Sequence, residues 1–189
     1  MTNTRDLFRR ACERFGEMVA KIGDDQWGAP TPCTEWDVRA LVHHLVSENA
    51  WIPPILAGRT IAEVGDSLDG DLLGGDPKAA WQGSAAQAQA AVDDEGALDR
   101  TVHISRGDVP GGEYVFEVLA DLAVHGWDLA KAIGAPEAID TELLEAVYPY
   151  YEPLVGFLEP SGAFGPMVEA PPDADRQTKL LAMLGRRAW

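Results

Sequence analysis

Residues 118–130 read Val118-Leu119-Ala120-Asp121-Leu122-Ala123-Val124-His125-Gly126-Trp127-Asp128-Leu129-Ala130. Apolar side chains occupy almost every position, as in a helix buried inside a bundle. Yet Asp121, His125 and Asp128 sit among them, and buried charge is costly unless it is paired. Residues four apart on a helix lie side by side, with Cβ atoms about 5–6 Å apart. Asp121 and His125 therefore project together, and Glu117 and Asp128 extend the same broad face. Two readings are open at this point: an intrahelical hydrogen-bonded pair, or two ligands of a metal site completed from another helix.

Working outward, the same helix starts near Gly112 and stops at Gly134, with Phe116, Leu119, Ala120, Ala123 and Trp127 as its inward stripe. Upstream, Leu7, Phe8, Ala11, Phe15, Met18, Val19 and Ile22 recur at helical spacing, and Gly23 follows as a stop. Thr34 looks like the N-cap of a second helix, with Asp37 three residues on. Val38, Leu41, Val42, Leu45 and Val46 form its inward face, and Pro53 and Pro54 should end or kink it. Asp76-Pro77 reads as N-cap and first residue of a third helix that runs to about Val92. Residues 97–112 differ: TVHIS alternates and is β-branched, VPGGE reads as a turn, and a short hairpin is expected. A fifth helix starts at Thr141 under an Asp140 or Thr141 cap and is distorted by Pro149 and Pro153. A proline- and glycine-rich stretch follows, then a last helix over roughly 174–184. The pattern predicts an all-α protein: one helix-bundle domain over residues 1–189 with a short extended excursion before the fourth helix and a short C-terminal helix.

The third ligand of a metal site would come from His43-His44 on the second helix. Adjacent helical residues point about 100° apart, so one ring at most meets the Asp121–His125 pair. His44 follows Leu41 by three on the inward stripe, whereas His43 falls toward the flank. His44 is equally readable as a satisfied core histidine. Imidazole and carboxylate donors suit zinc, iron, nickel or manganese. His103 in the excursion reads as a surface histidine or as a residue overhanging the site. Cys33 precedes the second helix, where a thiol can become acidic, but a partly buried structural role is the plainer reading. Cys12 lies on the first helix's apolar stripe. Trp36 and Trp127 read as packing residues.

The formal net charge of -16 argues against a phosphate-neutralising surface and against anionic lipid. Nucleic acid and membrane are therefore excluded as expected partners. No apolar run is long enough to span a bilayer, and MTNTRDLFRRACERF has no signal-peptide core. Two scattered cysteines make neither a disulfide framework nor a thiolate zinc cage. The expected location is the cytoplasm, the expected partner is a small-molecule substrate, and the oligomeric state, including a homodimer, is left open.

Three segments in combination resemble a known family. They are TPCTEWDVRALVHHLV (31–46), DLAVHGWDLAKAIG (121–134) and the tail GAFGPMVEAPPDADRQTKLLAMLGRRAW (162–189). Together they resemble the actinobacterial DinB/YfiT-like metal-binding proteins, relatives of the N-terminal domain of mycothiol-dependent maleylpyruvate isomerase. The resemblance implies a four-helix bundle with a divalent metal, zinc or nickel first, on His44, Asp121 and His125. The isomerase branch has a glutamate where this chain has the shorter Asp121. It also carries a further C-terminal domain that helps to build its active site, so maleylpyruvate isomerisation is not the expected activity. The class-level expectation is a metal-dependent enzyme that transfers a low-molecular-weight thiol of mycothiol type to a small electrophile. The alternative is a non-catalytic metal- or small-molecule-binding bundle.

Overall fold

The computed structural model describes residues 3–158 and 165–189. The proline- and glycine-rich stretch expected after the fifth helix falls partly on 159–164, outside the described residues, as does the start of the tail motif. The contacts group into two compact units, residues 1–137 and 138–189.

In the first unit, α1 (Thr4–Lys21), α2 (Val38–Leu56), α4 (Pro77–Asp93) and α5 (Gly111–Ile133) form a closed ring, in which α1 packs on α5 and α4, and α2 packs on α4 and α5. This is the four-helix bundle expected. Phe8, Phe15, Leu41, Leu45, Leu119 and Leu122 are fully buried within it. Phe15 meets Trp81 at a ring-centroid distance of 4.6 Å. The short helix α3 (Ile61–Val64) has a capping box between Thr60 and Glu63, which the sequence reading passed over.

Several local expectations hold and others are corrected. Asp76 caps α4, with Pro77 at the first helical position. The N-cap of α2 is Asp37, not Thr34: the Asp37 carboxylate accepts from the Ala40 amide at 2.8 Å. Pro53 and Pro54 do not break α2, which continues to Leu56. Each ring removes an amide that would donate to the carbonyl four residues back, at Asn49 and Ala50, and α2 ends two residues beyond Pro54. Arg100 closes that end by donating to the Leu56 carbonyl at 2.6 Å.

The excursion is a hairpin of β1 (Thr101–Ile104) and β2 (Gly107–Pro110), paired antiparallel. Its turn lies at Ser105–Arg106. Val109 and Pro110 belong to the strand, and α5 starts directly at Gly111, so VPGGE is not the turn. Helix α5 is buried on most of its circumference. Phe116 is only half-buried, and Tyr114, Val115, Val118 and Leu122 widen the inward stripe.

In the second unit, α6 (Thr141–Tyr151) is capped by Asp140 and leads through a 3-10 turn (Glu152–Leu154) to α7 (Val155–Leu158). Helix α8 (Arg176–Met183), capped by Asp175, packs on α6. Arg176 pairs with Glu145 and stacks over the Tyr148 ring at 4.6 Å.

Two predictions test this architecture. A Cβ at Gly111 would lie 2.4 Å from the Ala97 carbonyl oxygen and 3.0 Å from Leu56. Gly111→Ala should destabilise the fold by about 1–3 kcal/mol, the usual cost of overpacking. The urea midpoint should fall with an unchanged slope. Cys12 is buried on α1, and burial pushes its thiol up to about 12. Iodoacetamide at pH 8 should leave Cys12 unmodified until the chain is denatured, as read by peptide mass spectrometry.

Candidate metal centre

Helices α2 and α5 lie against each other, and this packing carries His44 to the face of Asp121. The Nε2 of His44 lies 2.7 Å from Asp121 Oδ2. The Nε2 of His125 lies 3.3 Å from Asp121 Oδ1. One carboxylate thus spans two imidazoles from two helices, and ligand atoms of all three residues lie within 4.8 Å of one another. The three side chains singled out from helical spacing are brought together.

The electrostatics follow from that arrangement. Burial alone would raise the Asp121 carboxyl, but the charge of His125 and hydrogen bonds from both imidazoles outweigh it and hold it well below the usual carboxylate range. Burial works against the imidazolium of His125. The Asp121 charge, and hydrogen bonds to Asp121 and Asp128, reverse that and raise it well above its ordinary value. Glu48, one turn after His44, has its Oε1 4.0 Å from His44 Nδ1. Burial raises the Glu48 carboxyl despite the opposing charge of His44, and Asp121 adds to the rise.

Asp128 is fully buried, and its Oδ2 lies 2.9 Å from His125 Nδ1. The two faces of the His125 ring edge are therefore occupied differently: Nε2 toward Asp121, Nδ1 toward Asp128. This is the carboxylate–histidine pairing that fixes a ring's tautomer and orientation. Glu117 does not join the cluster. It pairs with Arg106, which also bonds Glu113 at 2.7 Å.

Two residues of the 28–37 loop complete the site, and the sequence reading gave neither this place. The Cys33 thiol donates to Asp128 Oδ2 at 3.3 Å and lies 3.8 Å from His125 Nδ1. The Trp36 ring sits against His44 and His125, at centroid distances of 4.7 and 5.5 Å. Thr31 builds the loop that presents them: its Oγ1 accepts from the Cys33 amide at 3.1 Å and donates to the Trp36 carbonyl at 2.8 Å. A signal for Trp36 was available, since a large apolar residue just before an N-cap packs back toward its helix. For Glu48 the signal was the same spacing of four that singled out Asp121 and His125.

His43 points elsewhere. Its Nε2 lies 2.8 Å from the Gly70 carbonyl and 3.2 Å from the Leu72 amide, so it holds the loop after α3. His103 is partly exposed and pairs across the hairpin with Asp108 at 2.7 Å, as a surface histidine. Trp127 is buried packing. A cleft of about 550 Å³ opens beside His44, lined by Trp36, Arg39, Ala40, His43, Ser47 and Asp71 among others. It lies along α2 and its flanking loops, not in the seam between α2 and α5. Among the described residues no helix is long and apolar enough to cross a membrane.

One expectation at this site is independent of any ligand. His43→Ala should loosen the 70–72 loop, seen as faster amide exchange at Leu72, while His44→Ala should leave that amide protected.

Residues 8–130 match the family model of the mycothiol maleylpyruvate isomerase N-terminal domain. An uncharacterized protein of Mycobacterium tuberculosis, found in two strains, is 32% identical over 183 residues, with 94% of each chain covered. Two solved structures share the fold. One is a histidine-to-alanine mutant of the mycothiol-dependent maleylpyruvate isomerase, with a TM-score of 0.61, 15% identity, and 78% of this chain and 71% of that chain covered. The other is the same enzyme without that change, with a TM-score of 0.56, 16% identity and the same coverage. The matched span 8–130 contains α2, all but the last three residues of α5 and the whole His44–Asp121–His125 cluster, and the chain belongs to the family of the mycothiol maleylpyruvate isomerase N-terminal domain.

Proposed function

We propose that the protein is a metal-dependent enzyme of thiol chemistry, which holds a divalent ion on His44, Asp121 and His125 and joins a low-molecular-weight thiol of mycothiol type to a small electrophile. The observation that carries this reading is the convergence of two imidazole Nε2 atoms and one carboxylate from two helices. The donor set fits such an ion: nitrogen and oxygen ligands suit zinc or nickel, and three protein ligands leave a position open as catalytic zinc sites do. When bound, the ion supplies the positive charge that makes a thiol acidic at neutral pH.

The chain's own residues do the rest. Asp128 keeps the Nδ1 proton on His125, so that the Nε2 lone pair faces the cluster. Glu48 stands on the Nδ1 side of His44 from the next turn. Trp36 covers both rings and keeps water from that side. The cleft beside His44 gives the electrophile an apolar wall in Trp36 and a cation in Arg39, which bridges to Asp71 at 3.0 Å. In the reaction proposed, sulfur bonds to an electrophilic carbon of the acceptor, and the thiol proton ends on the acceptor. Mycothiol dependence belongs to the isomerase whose fold this chain shares, and the family membership supports the choice of thiol.

A second reading has its own support. Asp121 is already bonded by both imidazoles. That closed relay satisfies the buried groups without an ion and suits a metal-free bundle that binds a small molecule. Assays of thiol addition to generic electrophiles, with and without metal, separate the two. Metal-dependent turnover lost in His125→Ala supports the enzyme. Full turnover in the chelated protein overturns it.

Three outcomes are expected. His44→Ala and His125→Ala should lose stoichiometric metal by elemental analysis, whereas His43→Ala should keep it. Asp128→Asn should weaken metal binding by about 10–100-fold, the usual effect of removing a ligand's hydrogen-bond partner. Chelation should leave the helical circular dichroism intact and lower the melting temperature by only a few degrees, because a bundle of this size buries a core of its own.

A further inference from the structure

His125 belongs to a second group of donors on its other nitrogen. Cys33 Sγ, His125 Nδ1 and Asp128 lie within 4.8 Å of one another, and His125 and Asp128 are buried. We propose that these three residues form a second cation site, selective for a thiophilic divalent ion, which takes the His125 ring from the opposite edge and is occupied in place of the His44–Asp121–His125 site, not beside it.

The geometry carries the proposal. Zinc-sized bonds to sulfur, nitrogen and oxygen, about 2.3, 2.0–2.1 and 2.0–2.2 Å, put the corners of a tetrahedron roughly 3.4–3.6 Å apart. The three donors stand 3.8 Å (S to N), 3.3 Å (S to O) and 2.9 Å (N to O) from one another. Two edges agree to about 0.3 Å, and the third needs to open by roughly half an ångström. Two hydrogens now fill the space: the thiol hydrogen on the Asp128 carboxylate, and the hydrogen between that carboxylate and Nδ1. A single dication does the work of both. It displaces both from the space, leaves a thiolate, a carboxylate and a neutral imidazole that keeps one hydrogen, on Nε2, and gives a neutral centre.

Charge and softness point the same way. A neutral centre suits the place where Asp128 is fully buried. The thiolate favours soft ions, which the oxygen and nitrogen donors of the other site do not. Entry is from the loop side, where Cys33 is only partly covered. The two positions exclude each other because of the ring. An ion on Nε2 leaves the hydrogen on Nδ1 for Asp128, and an ion on Nδ1 leaves it on Nε2 for Asp121. The proposal shares His125 and Asp128 with the function proposed above, but not His44 or Asp121, and Cys33 is its own, so the two readings fail separately.

The test is titration of the metal-free protein with Cd²⁺, followed by ultraviolet thiolate–cadmium absorbance and by direct ion counting. One equivalent should produce the band in the wild type, in Cys12→Ala and in His44→Ala. Cys33→Ser should lose the band. Cd²⁺ should also slow alkylation of Cys33 in the wild type, read on its own peptide by mass spectrometry, which needs no variant to fold. No band in the wild type, a band that survives Cys33→Ser, loss of the band in a helical His44→Ala, or undiminished alkylation of Cys33 overturns the site. Two ions per chain accompanied by the band overturn the exclusion.

Discussion

The structure turns on the cost of putting an imidazole and two carboxylates into an apolar helix. Asp121, His125 and Asp128 share α5 with Leu119, Leu122, Val124 and Leu129, all deeply buried. An isolated charge there would be strongly unfavourable, and the helix cannot turn to expose it without exposing its core stripe. The charges are tolerated because they are arranged in a line: Asp121, then the ring of His125, then Asp128. The ring is the hinge of that line, since each nitrogen serves one carboxylate. His44 enters from α2 to take the remaining oxygen of Asp121.

The rest of the fold holds that line in register. Gly111 sets where α5 begins, by letting its backbone approach the Ala97 carbonyl more closely than any side chain allows. Asp37 sets where α2 begins, and so which of its residues face α5. Between those anchors the loop from Ala29 to Asp37 is tied by Thr31 and by backbone bonds from Val38 and Arg39 to Ala29 and Trp27. The cluster is therefore built half from rigid helices and half from a braced loop. The helices supply the nitrogen and oxygen donors, and the loop supplies the sulfur and the aromatic cover.

What could be read in advance divides along that line. Spacing within one helix is a local property, so Asp121 with His125 was legible, and periodicity placed His44 inward. Asp76-Pro77 and Asp140 announced their helices because a cap is also local. Cys33 and Trp36 were not legible as site residues: their approach to α5 depends on how a loop folds back across 90 residues of sequence, which no period encodes. Asp37 was misread as the partner of a Thr34 cap, because a carboxylate is equally at home at either position. Pro53 and Pro54 misled for another reason. Proline removes one amide donor and crowds the carbonyl four residues back, and α2 carries both losses and ends two residues beyond Pro54.

The dipeptide His43-His44 has a mechanical consequence. One ring faces Asp121 and the other grips the Gly70–Leu72 loop, whose middle residue Asp71 helps to line the cleft. The two rings are mounted on consecutive residues of one rigid rod. Any roll of α2 that draws His44 toward or away from Asp121 also pulls on the loop at the cleft's rim. The position of the inner ring and that of the cleft-lining loop are thus coupled through one rod, like a latch and its handle on a common spindle.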